Sequence, residues 1–208
     1  KSGHLEIVKL LADKGADVNA KILWHDTALT AACQGGYVEI VKLIVAKGAR
    51  VNEKRRFGDT ALMDACKSGS PEIVNVLIAN GADVNAKRRL CETALMIACE
   101  DGHAGIVKTL LANRAQANEK TESGFTPLML AGANGHTEVV KLLLASGTDV
   151  NSGDKYGNTA LAHACANGHL EVVKELLTKG ADGNCATRGG ATALCYACDK
   201  VYRDSEKL

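Results

Sequence analysis

The sequence contains few aromatic residues and almost no proline. Its 208 residues include one Trp, four Tyr and two Phe, and its two prolines are Pro71 and Pro127. A globular core of this size usually relies on more aromatic rings. Glycine and small or aliphatic residues are abundant instead, which favours a core of short, closely packed helices.

The sequence also has no strong net charge and no long apolar run. Its formal charge of +1 at pH 7 predicts no strong electrostatic field around the whole chain. No apolar run approaches the roughly 20 residues that cross a bilayer, and the N-terminal residues do not form a secretory signal peptide. We therefore expect an intracellular protein, with the cytoplasm as its compartment and no contact with a membrane.

Motifs of common catalytic sites are missing as well. The sequence has no G-x-S-x-G, no H-E-x-x-H, no phosphate loop and no dinucleotide fingerprint. Cys195 and Cys198 have the spacing of a redox or metal pair, but no second pair accompanies them, and a zinc site needs four converging ligands. We therefore expect a protein that is not an enzyme and that binds neither a cofactor nor a metal.

What the sequence does contain is a period of 33 residues. One threonine, one glycine and one asparagine recur at this spacing without exception. The threonines are Thr27, Thr60, Thr93, Thr126, Thr159 and Thr192. Cysteine follows the same period at Cys33, Cys66, Cys99, Cys165 and Cys198. A structural repeat explains this pattern better than a disulfide framework, so these five thiols are expected to be buried and unpaired.

The period divides the chain into complete units with a partial unit at each end. The complete units are 22–54, 55–87, 88–120, 121–153 and 154–186, and the partial units are 1–21 and 187–208. We expect residues 1–208 to form a single array. Because both ends interrupt a unit, the chain is expected to be a segment of a longer protein.

Each unit is predicted to form two helices and a turn. In unit 154–186, Thr159 is a typical N-cap and Gly168 a typical helix end, which predicts a short first helix between them. The following segment, 168–177, predicts a second, amphipathic helix. Its apolar face is expected to carry Leu170, Val173, Leu176 and Leu177. Such a pair buries its apolar face only when neighbouring pairs stack on it.

These residues resemble the ankyrin repeat family. The segment Gly124-Phe-Thr-Pro-Leu-Met-Leu-Ala131 is similar to the family pattern G-x-T-P-L-H-x-A, and Gly135-His-Thr-Glu-Val-Val-Lys-Leu-Leu-Leu144 is similar to G-H-x-E-V-V-x-L-L-L. The resemblance covers essentially the whole chain. It implies an all-α solenoid of stacked helix pairs with short β-hairpin loops. The family's histidine in the first motif is replaced in every unit, so apolar packing is expected where the family has a Thr–His hydrogen bond.

A second set of histidines does recur, at His4, His103, His136 and His169. They stand where the second helix of each unit is predicted to begin. Neighbouring units present them one at a time, so a structural capping role is favoured over a cluster of metal ligands.

One turn departs from the pattern of the others. Five units end the second helix with glycine, at Gly15, Gly48, Gly81, Gly147 and Gly180, whereas unit 88–120 has Arg114. This slot normally requires a left-handed backbone, which costs a residue with a Cβ about 1 kcal/mol. The same turn reads Ala115-Gln-Ala-Asn118, where other units have Ala-Asp-Val-Asn. We therefore expect the array to be weakest at this junction.

The turn tips vary between units while the framework repeats. Large apolar side chains on tips have no core to join, and basic side chains beside them suit a contact surface. The residues expected to bind a partner are Trp24, Arg55, Arg56, Phe57, Arg88, Arg89, Leu90, Phe125 and Tyr156.

The family resemblance implies a scaffold for protein–protein interaction that binds on its concave face, through hairpin tips and the ends of the inner helices. Tips 53–59 and 86–92 carry six basic and three acidic residues, which favours an acidic or phosphorylated protein or peptide.

Three alternatives remain. The same surface suits a nucleotide or single-stranded nucleic acid, with bases stacked on Trp24 or Phe57, although the near-neutral chain makes this less favoured. A second alternative is that the segment is a spacer that binds no partner. Lastly, Asp26, Asp59 and Glu92 lie close enough in sequence to neutralise the arginines.

Overall fold

The computed structural model describes residues 2–22 and 26–205, and in these residues it contains twelve α-helices. They are α1 (Ser2–Asp13), α2 (Ala28–Gln34), α3 (Val38–Ala46), α4 (Ala61–Lys67), α5 (Pro71–Ala79), α6 (Ala94–Glu100), α7 (Ala104–Ala112), α8 (Pro127–Ala133), α9 (Thr137–Ala145), α10 (Ala160–Asn167), α11 (Leu170–Thr178) and α12 (Ala193–Ser205). None of the described helices is both long enough and apolar enough to cross a membrane.

The helices form two rows. The first helices of the units, α2, α4, α6, α8, α10 and α12, pack successively against one another, and the second helices, α1, α3, α5, α7, α9 and α11, form a parallel row. The core fills the space between the rows and is built mainly from aliphatic side chains, methionine, alanine and cysteine. This arrangement confirms the expected all-α solenoid of stacked helix pairs.

The recurring threonines begin the first helices, as expected. The Thr27, Thr60, Thr93, Thr126 and Thr159 hydroxyls each accept a hydrogen bond from the backbone N–H three residues later. This bond satisfies one of the N–H groups that a helix start leaves without a partner.

Threonine capping has an additional partner in unit 22–54. There Thr30 donates its hydroxyl to the Thr27 carbonyl and accepts a bond from the Thr27 N–H. A polar contact therefore occurs where apolar packing was expected, because Thr30 carries a hydroxyl. Sulfur atoms make the corresponding contact in two other units, where Met129 Sδ accepts the Thr126 N–H at 3.4 Å and Cys195 Sγ lies 3.6 Å from the Thr192 hydroxyl.

The apolar face of the second helices differs from the prediction in one respect. In α11 the buried side chains are Val172 and Leu176, with Val173 partly buried, whereas Leu170 and Leu177 are exposed. The prediction was therefore wrong for Leu170 and Leu177. The residues equivalent to Leu177 in α7 and α9, Leu111 and Leu144, are partly buried, and each of those helices is followed by a packed second helix. Among the described residues no second helix follows α11.

The recurring asparagines join consecutive units. Asn52 donates its side-chain N–H to the Gly81 carbonyl at 2.8 Å and accepts the Asp83 N–H at 2.7 Å. The equivalent bonds link Asn85 to Arg114 and Gln116. One amide side chain thus satisfies the backbone at the end of the next unit's second helix, which explains why asparagine recurs.

The histidines also join units, which refines the capping role expected for them. His136 and His169 stand at the N-cap positions of α9 and α11 but make no side-chain bond there. Each Nε2–H group instead donates to a carbonyl at the end of the first helix in the preceding unit. His136 bonds to the Glu100 carbonyl at 2.9 Å, and His169 bonds to the Ala133 carbonyl at 3.0 Å. A Cβ at Gly102 would lie 2.6 Å from the His136 ring, so glycine leaves room for this contact.

The five periodic cysteines are all free thiols, but they are not all buried. Cys33, Cys66 and Cys99 are buried as predicted, Cys165 is partly buried, and Cys198 is exposed. The prediction was wrong for Cys198 because, among the described residues, α12 is covered by α10 on one side only. Its neighbour Cys195 is exposed too. In the described part of the chain, no three His, Cys, Asp or Glu side chains are grouped to hold a metal ion.

Candidate functional site

The turn tips form a continuous row along one edge of the first helices. Each tip is closed by a backbone hydrogen bond between its first and fifth residues, for example from the Arg88 N–H to the Glu92 carbonyl at 2.9 Å. Further bonds join neighbouring tips, from Arg89 N–H to Phe57 O, Glu122 N–H to Leu90 O, Lys155 N–H to Ser123 O and Arg188 N–H to Tyr156 O. The tips are turns and not extended β-hairpins. In the described residues, β-type pairing is limited to an isolated antiparallel bridge between Lys87 and Thr93.

The row brings most of the predicted apolar residues to one face. Phe57, Leu90 and Tyr156 have exposed fractions of 51%, 49% and 69%, and Phe125 is partly buried. Phe57 and Leu90 line one shallow cavity, and Leu90 and Phe125 line another. Trp24 lies outside the described residues.

Arg55 is held by two carboxylates. Its Nη1–H donates to Asp26 at 3.1 Å and its Nη2–H to Asp64 at 2.6 Å. The Arg55 side chain is only 17% exposed. Arg55 therefore joins two tips and a first helix.

Arg88 repeats this arrangement one unit later. It donates to Asp59 at 2.9 Å and pairs with Glu92 through two of its nitrogens. Arg55 and Arg88 thus pair with Asp26, Asp59 and Glu92, the acidic residues of the tips that were named in the alternative.

The other two predicted arginines, Arg56 and Arg89, are exposed. The Arg56 guanidinium lies 5.5 Å from the centroid of the adjacent Phe57 ring, a distance at which a cation is attracted to an aromatic face. Arg89 lines the same shallow cavity as Phe57 and Leu90. The tips therefore display a cationic and aromatic surface that is smaller than the sequence predicted.

The prediction missed Asp64, which lies in α4 and is 6% exposed. Burial raises the pKa of its carboxyl to about 6, against the opposing effects of Arg55 and of a hydrogen bond from Gln34. Its Oδ2 is buried without a hydrogen-bond partner in the described structure. A sequence feature points to this residue, because the same slot of the first helix reads Ala31, Asp64, Ile97, Leu130, His163 and Tyr196. A position that varies between units, while the capping and core positions repeat, is typical of a binding surface.

A charged cavity of about 460 Å³ opens on unit 55–87, with one lining residue from each of the neighbouring units. Arg55, Asp59, Asp64, Lys67 and Arg88 line it. With the paired carboxylates of Asp26 and Glu92, this group contains three basic and four acidic side chains. The count of the tips alone omitted Asp26 and Asp64, and the fold adds both, so the cavity has no excess of positive charge.

An apolar groove of about 200 Å³ lies one unit further along the same face. Leu90 and Phe125 form its sides, and the nearly buried Met96 and Ile97 lie beneath them together with Leu130. The polar residues Glu92, Glu100, Thr121 and Ser123 complete its lining. Five of the nine residues that line this groove are apolar.

The tip that carries Leu90 has an unusual backbone. Leu90 and Cys91 have φ values of 65° and 62°, in the left-handed region that favours glycine. Four of the other five tips place a glycine at the position of Cys91, namely Gly58, Gly124, Gly157 and Gly190, and the first tip has His25 there. Two strained residues therefore hold one of the exposed apolar side chains of the site.

A polar group borders the groove on its other side. The Phe125 ring lies 5.0 Å from the His163 ring, and His163 Nε2 lies 3.3 Å from Asp154. Burial alone would raise the pKa of Asp154, but hydrogen bonds from Asn158 and from the Tyr156 N–H lower it overall. Asp154 thus remains ionised and organises the tip that displays Tyr156.

Comparisons with known proteins agree with this architecture. The family described as ankyrin repeats, three copies, matches residues 1–88, 88–154 and 133–207. The crystal structure of the human ASB11 ankyrin repeat domain is similar, with a TM-score of 0.87, 31% sequence identity, and coverage of 94% of this chain and 88% of that chain. A search of curated proteins found no match. The repeats, the helix pairs and these matches together show that the chain belongs to the ankyrin repeat family.

Proposed function

We propose that this chain is a non-enzymatic scaffold that binds another protein along the face formed by its tips and first helices, the face that the family resemblance identifies as concave. The observation that carries the proposal is the apolar groove beside Leu90 and Phe125. Exposed apolar side chains around an open groove on a rigid row of turns are typical of a contact site. Ankyrin repeats are generally protein-interaction modules.

The proposed contact surface includes the predicted tip residues in two different roles. Phe57, Leu90, Phe125 and Tyr156, with Trp24 in the preceding tip, offer apolar area. Arg56 and Arg89 offer exposed cationic groups to an acidic or phosphorylated part of the partner. Arg55 and Arg88 position the tips, because their guanidinium groups are already bonded to carboxylates.

The alternative, a nucleotide or single-stranded nucleic acid, has less support. Phosphate binding needs uncompensated basic groups, and the charged cavity holds as many carboxylates as it needs to neutralise its arginines. The exposed Phe57 beside Arg56 is the observation that favours this alternative, because a base could stack on the ring while the guanidinium contacts a phosphate.

An intracellular location in the cytoplasm is part of the proposal. The eight cysteines are free, as expected for a chain kept in a reducing compartment. We also propose that the array 1–208 acts as one binding unit.

The test is affinity capture from a cell lysate, with and without nuclease, followed by mass spectrometry. The parent chain is compared with the triple variant Trp24→Ala/Phe57→Ala/Leu90→Ala. The control is Leu170→Ala/Leu177→Ala, which removes equally exposed leucines from a second helix. Proteins retained by the parent and by the control, and lost by the triple variant, are the expected result.

Two results contradict the proposal. Loss of all captured material after nuclease treatment, with a steep dependence on salt, would show a nucleic-acid site instead. Loss of the captured proteins in the Leu170→Ala/Leu177→Ala control, with retention by the triple variant, would place the contact surface on the second helices.

A further inference from the structure

We infer that the apolar groove takes one bulky aliphatic side chain of the partner, and that a lysine or arginine next to it in the partner's chain pairs with Glu100. This inference rests on the proposed function, because it specifies the chemistry of the partner at the same face. The occupant is thus an extended protein segment with an apolar anchor and a basic neighbour.

The size of the groove favours a side chain over a small molecule. Its volume is about 200 Å³, below the roughly 300–1,000 Å³ of typical small-molecule pockets. Met96 and Ile97 beneath it are almost fully buried and belong to the packed helix α6. The groove therefore has a rigid apolar base that would remove a single branched side chain from water.

The charges of the lining favour a basic neighbour. Glu92 is neutralised by Arg88. Glu100 is exposed at the end of α6, and no basic side chain of the described residues forms an ion pair with its carboxylate. The uncompensated charge of the groove's own lining is therefore negative, and the exposed Arg89 lines the neighbouring cavity beside Phe57. A cation placed beside the apolar anchor is attracted to Glu100, whereas an acidic residue there is repelled.

The backbone of the tip gives independent support. Leu90 and Cys91 keep left-handed conformations that glycine would adopt without strain. Strain of this kind persists where the surroundings hold it, and it concentrates at ligand-contacting segments. Here it holds an exposed leucine at the side of the groove.

The test uses synthetic dodecapeptides with random flanking positions, arrayed on a membrane and probed with the fluorescently labelled chain. One set has leucine at the central position and lysine, serine or glutamate directly after it. A second set has alanine at the central position. Binding is measured for the parent, for Leu90→Ala and for Glu100→Gln, with Leu170→Ala as the control for an exposed leucine elsewhere. Circular dichroism confirms that each variant is folded.

We expect the parent to bind leucine–lysine peptides most strongly and leucine–glutamate peptides least. Replacing the central leucine by alanine should weaken binding about tenfold, since it removes three of the four side-chain carbons and an open groove buries roughly half of their surface. Glu100→Gln should reduce the preference for lysine over glutamate by about two- to fivefold, as for an exposed ion pair. The preference for leucine over alanine should be unchanged in Glu100→Gln and reduced in Leu90→Ala.

Several results would overturn the inference. They are equal binding of the leucine and alanine sets, a preference for glutamate over lysine, and preferences that survive both groove variants. If peptides of every set fail to bind while lysate capture still depends on the tips, the groove is not a site for an extended segment, and the proposed function stands. A dimer in analytical ultracentrifugation that Leu90→Ala dissociates would make a second copy of this chain the occupant.

Discussion

Replacing Arg114 by glycine should stabilise the array. Arg114 has a φ of 65° in the turn after α7, where five other units have glycine with φ between 82° and 88°. The left-handed region costs a residue with a Cβ about 1–2 kcal/mol. Arg114→Gly removes this cost but increases the entropy of the unfolded chain by the equivalent of about 0.4–1 kcal/mol. The difference between the two effects is about 0–1.6 kcal/mol, with a central value of about 0.8 kcal/mol for the gain in the free energy of unfolding.

The backbone contacts of this turn survive the substitution. The Arg114 carbonyl accepts the Asn85 side chain at 3.1 Å, as the Gly81 carbonyl accepts Asn52 at 2.8 Å. The Arg114 side chain is exposed, so its removal leaves no cavity in the core. Its charge favours the carboxyl end of α7 by about 0.3–1 kcal/mol at low ionic strength, and salt screens this effect.

Urea denaturation followed by circular dichroism measures the effect, and Arg114→Ala is the matched control. Alanine removes the charge but keeps the Cβ, so Arg114→Gly should be more stable than Arg114→Ala. The melting temperature should rise by about 1–4 °C relative to the parent. A steeper transition is also expected, because a stronger junction couples neighbouring units more tightly.

One result would refute the reasoning. If Arg114→Gly is less stable than Arg114→Ala, the left-handed backbone at this turn is not the source of strain. The junction between units 88–120 and 121–153 would then not be the weak point of the array.

Three further predictions follow from the site and the core. The carboxyl of Asp64 has its pKa raised to about 6 from 3.8, so the folded chain binds this proton more readily than the unfolded chain. The free energy of unfolding should therefore fall by up to about 3 kcal/mol as the pH rises from about 4 to 6, then level off. In urea titrations Asp64→Asn should lack this contribution, and an unchanged slope in that variant would contradict it. Arg88→Ala should lower the free energy of unfolding by about 1–3 kcal/mol because it leaves Asp59 without its charged partner. The control Arg89→Ala should change it by less than about 0.5 kcal/mol. Equal effects of the two variants in thermal melts would show that the Arg88 pairing is not stabilising. Hydrogen bonds from Thr192 lower the pKa of the exposed Cys195 thiol, and burial raises that of Cys66, so iodoacetamide should label Cys195 first and Cys66 only after unfolding, as mass spectrometry would show.

Much of the fold could be predicted because its determinants are local and repeated. A threonine cap such as Thr159 and a glycine end such as Gly168 act within one helix, so their meaning does not depend on distant residues. The same period places Arg114 in a slot that requires a left-handed backbone, and the structure confirms this conformation. A single departure from a repeated pattern is therefore interpretable without any tertiary information.

The candidate site was predictable only in part. The variable tips correctly indicated where exposed apolar side chains lie, as Phe57, Leu90 and Tyr156 show. The arginines were harder, because ion pairs depend on which side chains the stacking brings together. Arg55 meets Asp26 of the preceding tip, which was expected as a neutralising residue, and Asp64 of its own first helix, which was not.

The sequence alone determined the repeat, the helix pairs and the row of tips, since hydrogen bonds and helix caps act over a few residues and recur every 33. Tertiary structure decided which side chains are covered and which charges are paired. Cys198 has the period of Cys66 but not its burial, because burial depends on a neighbouring helix and not on the residue itself. The apolar groove likewise arises where two tips and α6 meet, since an open depression exists only between elements that have already packed.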